Sequence, residues 1–282
     1  MALHSRLGSL YSCDCPDCSP SRTSQTLAAD DTLLGLAKKA YNQIFRHGYK
    51  VEELKTNKHF KALSKAIQNR LNRGLIEGIA DNDIPGEMRT ALDEDVYIFS
   101  QLKTHAQLFE ASRLLTDTDG NIRSFSSFKQ EYTKLNELHN VNYLEAEYEF
   151  AISSAQSAAN WADIEANNDR YDLQYRTAKD ERVRETHRVL DGITLTSTDD
   201  FWNYYFAPNG WRCRCHVASV LKGKFTLSDP KPAMQNGEQA TTQLNKHGQN
   251  TLAIFRFNSG KQKVIFPPHH PYRKIQDANK VI

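Results

Sequence analysis

The chain has 282 residues, of which 39% are hydrophobic, and carries 36 Lys and Arg against 34 Asp and Glu. That is enough apolar material for at least one substantial core, and the near-neutral balance excludes a global field that would by itself call for a nucleic-acid partner. No apolar run approaches the length of a membrane span, and the opening MALHSRLGSLYSCDCPDC lacks the apolar stretch of a secretory signal, so the sequence predicts a protein that is made and stays in a cytosol, with no membrane partner. Five cysteines in such a chain point to metal binding or free thiols rather than to a disulfide framework.

In chain order, residues 1–30 form a tail that holds Cys13, Cys15 and Cys18 and the polar run SPSRTSQT. Such a composition needs a partner or a metal to order it. Residues 31–168 read as a packed antiparallel helical body. From Leu33 to about Leu75 the pattern is helical with an interruption at Gly48. Between Lys38 and Arg73 it carries ten Lys or Arg against Glu52 and Glu53 alone. After Pro85-Gly86, the residues Leu92, Val96, Phe99, Leu102, Ala106 and Phe109 recur at three and four, one face of a long helix. A turn at Asp117 to Gly120 ends it. A further helix is predicted from Phe125 to about Leu138, and another beginning near Tyr143. The last has Leu144, Tyr148, Ala151, Ala155, Ala158 and Ala162 in four-three alternation, a small-residue stripe that lets a neighbouring helix come close.

After Asn168 short β-prone pieces alternate with charge. The fold class is therefore α+β: a mainly helical N-terminal and central body, then a smaller loop-rich α+β portion with short strands over 169–282. Its many polar turns imply side-chain hydrogen bonds rather than a large core as its support. CHVASVL follows Trp211, and LAIFRFNSGKQKVIFP, two β-prone runs split by Ser-Gly, predicts a C-terminal hairpin. Between them lies DDFWNYYFAPNGWRCRCH. Phe201, Trp202, Tyr204, Tyr205, Phe206 and Trp211 bring apolar mass to a loop, and Pro208-Asn209-Gly210 supplies a tight turn.

The succession YRTAKDERVRETHRVLDG, DDFW and APNGWRCRC, followed downstream by FRFNSGK and HHPY, resembles the phage Mu protein F-like family of minor head, or head morphogenesis, proteins. FSQLKTHAQLFEASRLLTDTDGNIRSFSSFKQEY and NYLEAEYEFAISSAQSAANW resemble the helical part of the same family. The resemblance marks Arg182, Arg184, His187, Asp191, Gly192, Trp202, Pro208, Asn209, Gly210 and Trp211 as its structural signature. It implies a minor capsid protein of a tailed phage or prophage, present in a few copies inside the head near the portal. Its partners would be portal and capsid proteins and the packaged double-stranded DNA. Its place would be the virion, and the host cytoplasm during assembly.

The residues themselves admit several chemistries. Arg182 and Arg184, on an extended segment, can clasp carboxylates through their planar forks and lock the 200–216 loop onto the domain. An enzyme would use His187 as a general base oriented by Asp191 or Asp180, but no Ser or Cys nucleophile motif accompanies them, and no catalytic residue is assigned. A metal-dependent nuclease or phage-delivered effector is the alternative function; the chain after Cys215 is short for a separate effector domain. Cys213, Cys215 and His216 or His187 offer three or four tetrahedral zinc ligands, and the other reading is free or buried thiols. Cys13, Cys15 and Cys18 form a second candidate, completed by a histidine such as His4 or by the first cluster. Lys58, Lys61 and Lys65 are the candidate DNA contacts, against the plainer reading of a solvated helical face.

Overall fold

Burial of one apolar stripe per helix builds the first part of the molecule. The computed structural model describes residues 7, 8, 10, 11, 31–80 and 82–282. Helix α1 (Asp31–His47) buries Leu33, Ala37, Ala40, Tyr41 and Ile44. It stops at Gly48, whose left-handed φ of 75° lets its N–H return to the Ile44 carbonyl at 2.8 Å. Helix α2 (Lys58–Ile79) starts where the Asn57 side chain accepts from His59 N at 2.9 Å, and it buries Phe60, Leu63, Ile67, Leu71 and Leu75. Helix α3 (Gly86–Arg113) is the central element. Even its polar residues Gln101, Lys103, Thr104, His105 and Gln107 are buried.

Helix α4 (Phe125–Glu137) and helix α5 (Leu144–Ala166) were expected as separate elements, but the chain runs from one into the other through a π-turn at Leu138–Tyr143. The polar Asn140 and Asn142 interrupt the apolar period there. Neither Gly nor Pro is present to stop the helix, and the π-turn keeps His139, Asn140 and Tyr143 buried. Asn140 donates to the Gln107 side chain at 2.9 Å, which also accepts from Tyr41.

The alanine stripe of α5 faces two glycines of α2. A Cβ on Gly74 would lie 2.9 Å from the Tyr148 carbonyl oxygen, and one on Gly78 only 2.3 Å from that of Ile152 and 2.6 Å from Ala155 Cβ. The helices approach as closely as their backbones allow.

Strand β1 (Tyr171–Arg176) is the centre of a three-stranded antiparallel sheet, with β2 (Thr194–Thr196) on one side and β3 (His216–Leu221) on the other. Leu173 is opposite Leu195 and Ser219. Short helices α6 (Glu185–Arg188) and α7 (Phe201–Tyr204) interrupt the connections, and α8 (Pro230–Ala240) covers them. This portion has more of a core than its polar turns suggest: Trp161, Ile164, Leu173, Tyr175, Leu190, Leu195, Phe201, Trp202 and Phe206 form a cluster distinct from that of the helices.

The predicted C-terminal hairpin does not form. Leu252–Phe255 is a 3-10 turn and Ser259–Gln262 is a short helix, α9. The Asn-Ser-Gly that looked like a hairpin turn is a docking motif. Asn258 caps α9 by accepting from Gly260 N and Lys261 N and donates to the Trp202 carbonyl at 2.9 Å. Ser259 donates to the Ser154 carbonyl of α5 at 3.0 Å, and Gly260 lies so close to Trp161 that a Cβ would sit 2.2 Å from that residue's own. The N–H groups of Ile265 and Phe266, free of any strand partner, donate to the buried Asp95 of α3 at 2.9 Å each. Residues 252–281 thus share the core of the helices.

A charged pair is buried in that core. Lys103 Nζ lies 2.9 Å from Glu147 Oε2, both side chains being inaccessible to solvent. The other carboxylate oxygen accepts from Tyr272 at 2.9 Å and from Tyr11 at 2.5 Å. Tyr272 and its neighbour His270 belong to the HHPY segment. Tyr11 in turn stacks on Trp211 with ring centroids 4.9 Å apart.

Candidate functional site

The stretch from Trp211 to Val217 alternates with period two. Trp211, Cys213, Cys215 and Val217 point into the protein, and Arg212, Arg214 and His216 are not fully buried. The chain enters this stretch through a cis Ala207-Pro208 peptide and the fully buried Asn209. Asn209 accepts from the Tyr175 hydroxyl at 3.0 Å and donates to the Phe255 carbonyl at 3.4 Å, tying the turn to β1 and to the C-terminal segment. Trp202 is also fully buried, its indole N–H donating to the Thr196 carbonyl at 2.9 Å.

The expected clasp between residues 180–187 and this loop is present, with its polarity partly reversed. The carboxylate fork comes from Arg214 of the loop, whose two terminal nitrogens each lie 2.6 Å from an oxygen of Asp180. Arg184 instead donates to the Trp211 carbonyl at 2.5 Å. Its guanidinium lies against Gly210, where a Cβ would come within 3.3 Å of it. Arg182 has its Nε 3.9 Å from Asp180. Arg212, in the left-handed region at φ 56°, reaches Glu145 and Glu149 of α5 at 3.5 and 3.3 Å. Asp191 accepts from the N–H and hydroxyl of Thr177 at 2.8 and 3.0 Å, and Gly192 follows at φ 83° to turn the chain into β2.

Three of the candidate ligands converge. His187, from α6, has its Nδ1 3.7 Å from the sulfurs of both Cys213 and Cys215. The three ligand atoms lie within 4.8 Å of one another, and all three residues are buried. His216 does not join them. It is the first residue of β3, paired with Arg176 and exposed, because adjacent residues of an extended chain face opposite ways. Cys13, Cys15, Cys18 and His4 lie outside the described residues. A cavity of about 20 Å³, room for about one water, opens on the thiols and His187 between Arg182, Arg184, Arg212 and Arg214.

The electrostatics separate the two thiols. The Cys213 thiol is held well below its ordinary pKa, first by a hydrogen bond from Cys215 and then by His187 and Arg184, against the opposing effect of burial. Cys215 is pushed up by the same contact and by burial. Bidentate Arg214 brings the Asp180 carboxyl down to about 2. Burial, and then Arg176, lowers His216. His187 Nε2 is buried with no hydrogen-bond partner, and Asp180 and Asp191 are engaged elsewhere, so the acid-base pairing considered for His187 is not assembled. Two thiols and an imidazole at these distances make a ligand set for a soft or borderline cation.

The candidate DNA contacts are on another element. Lys58, Lys61 and Lys65 are exposed on one side of α2, and Lys65 also reaches Gln68 at 3.4 Å. The pKa of His59 is lowered, by partial burial first and then by the charges of Lys58 and Lys39, so a fourth lysine lies near this row. The sequence missed the buried Lys103 and Glu147. It also passed over the period-two spacing of Trp211, Cys213, Cys215 and Val217, which separates His216 from the thiols.

The family described as Phage Mu protein F like protein matches residues 65–218, more than half of the chain. Over 109 residues the chain is 28% identical to protein F of Escherichia phage Mu, which carries the name of a capsid assembly protein; the match covers 38% of this chain and 22% of that one. Over 120 residues it is 26% identical to the FluMu F protein of a Mu-like prophage of Haemophilus influenzae, covering 39% and 29%. The chain thus spans about a quarter of the length of the curated relatives it matches. No solved structure matches it. The matched span runs from α2 to β3 and encloses the π-turn, the clasp, His187, Cys213 and Cys215: the chain belongs to the phage Mu protein F like family.

Proposed function

We propose that the protein is a head-assembly component of a tailed phage or prophage, built in a few copies into the head near the portal, where it contacts portal and capsid proteins and the packaged double-stranded DNA. Family membership carries this reading, supported by the capsid-assembly name of the phage Mu relative. Among the described residues no helix is long and apolar enough to cross a membrane.

The DNA contact is assigned to the exposed row Lys58, Lys61 and Lys65, with Lys39 beside it. Such a row binds phosphates without reading bases, and log affinity then falls linearly with log salt as counterions are released. Mass spectrometry of purified particles is the test. We expect the chain at low copy number together with portal protein, and recovery from infected-cell lysate alone would overturn the assignment. In the same particles Lys58→Glu, Lys61→Glu and Lys65→Glu combined should weaken DNA retention and flatten its salt dependence. Unaltered retention would remove DNA from the partners.

A further inference from the structure

We propose that Cys213 Sγ, Cys215 Sγ and His187 Nδ1 hold one zinc ion whose fourth position faces the adjoining cavity. The inference rests on the geometry of these residues and is independent of the assembly role. Tetrahedral zinc with ordinary Zn–S and Zn–N bonds has an S···N edge of about 3.6 Å and an S···S edge of about 3.8 Å. Both S···N distances here are 3.7 Å, and no pair of the three ligand atoms exceeds 4.8 Å. An ion therefore enters with shifts of a fraction of an ångström to about one.

Among the described residues no other group holds the imidazole by a hydrogen bond. Its Nε2 is buried and unpartnered, so only the sulfurs hold the ring by its nitrogens. The three ligands come from two pieces of chain: His187 from α6, and Cys213 and Cys215 from the stretch that leads into β3. One ion would fasten the same segments that Arg184 and Arg214 already join. Charge permits it. On binding, the two thiols release their protons to solvent, and two thiolates with a divalent cation sum to zero. The surrounding arginines have their own partners: Arg214 and Arg182 meet Asp180, Arg212 meets Glu145 and Glu149, and Arg184 donates to a carbonyl. The cavity, about one water in size, leaves the fourth position to solvent.

The experiment uses the full chain purified under reducing conditions without chelators. Elemental analysis should find one zinc per chain. Cobalt substitution should produce thiolate-to-metal charge-transfer absorption. Cys213→Ser combined with Cys215→Ser should lose both signals, and His187→Ala should lose stoichiometric zinc. Cys13→Ser, Cys15→Ser and Cys18→Ser combined should keep one equivalent, which separates this site from the N-terminal thiols. Should a ligand variant fail to fold, the wild type decides: zinc returned to chelator-treated protein should release protons and raise the melting temperature in proportion to the logarithm of free zinc. Three results would overturn the proposal: folded, reduced wild type that takes up no zinc, zinc retained by the double serine variant, or zinc lost with the N-terminal thiols.

Discussion

The α2/α5 interface and the clasp over residues 180–217 solve the same problem, fixing two segments against each other, by opposite means. At the helix interface the parts are small and repeated. Gly74 and Gly78 meet Ala151 and Ala155, with no room for a Cβ on the glycines, and non-directional contact does the work. At the clasp the contacts are few and directional: Arg214 to Asp180 at the surface and Arg184 to the Trp211 carbonyl. Packing tolerates no added volume, whereas exposed polar contacts tolerate loss. A third arrangement, Lys103 with Glu147, is directional and fully buried, and tolerates neither.

These differences set an order of mutational cost. Glu147→Ala strands the Lys103 ammonium in the core and also removes the acceptor of Tyr11 and Tyr272, so denaturant unfolding should show a loss of about 3–5 kcal/mol. Adding Lys103→Met should recover part of it, because an apolar pair carries no stranded charge. A double variant as unstable as the single would show that the tyrosine network, not the ion pair, is the unit.

Gly78→Ala comes next. Alanine gains about 1 kcal/mol of helix propensity over glycine, yet its methyl would press on the Ile152 carbonyl, and overpacking of this kind costs about 1–3 kcal/mol. Net destabilisation in thermal melts, larger than for Gly74→Ala, is expected; a stabilised Gly78→Ala would mean that the helices separate without penalty.

The smallest effect belongs to the clasp. Arg214→Ala should let the Asp180 carboxyl rise from about 2 toward the usual carboxylate range, read by NMR titration, with little change in melting temperature at neutral pH. The sign follows from the depressed value. Whatever the pair contributes is present above the ordinary carboxylate pKa and fades as pH falls toward 2, so wild type and variant should converge in acid.

Legibility follows the range of the interactions. Leu92, Val96, Phe99, Leu102 and Ala106 were readable as one face because a helix repeats every 3.6 residues whatever surrounds it, and all are buried in α3. The α5 stripe was readable for the same reason. FRFNSGKQKVIF was misread because its β-prone runs carry no local mark of the acceptors they meet: Asp95 is 170 and 171 residues away from the two N–H groups it receives. At the candidate site the thiols and His187 were visible as residue types, but the choice of His187 over His216 was not.

By itself the sequence determined the long helices, the small-residue stripe of α5, the lysine row and the family signature, since each depends on spacing within one segment. Only the tertiary structure decided which oxygen each arginine meets, where the closing segment docks, and that His187 rather than His216 faces the thiols. Those choices join groups far apart in sequence: Cys213 and Cys215 lie 26 and 28 residues from His187, and one step along an extended chain turns His216 to the opposite side.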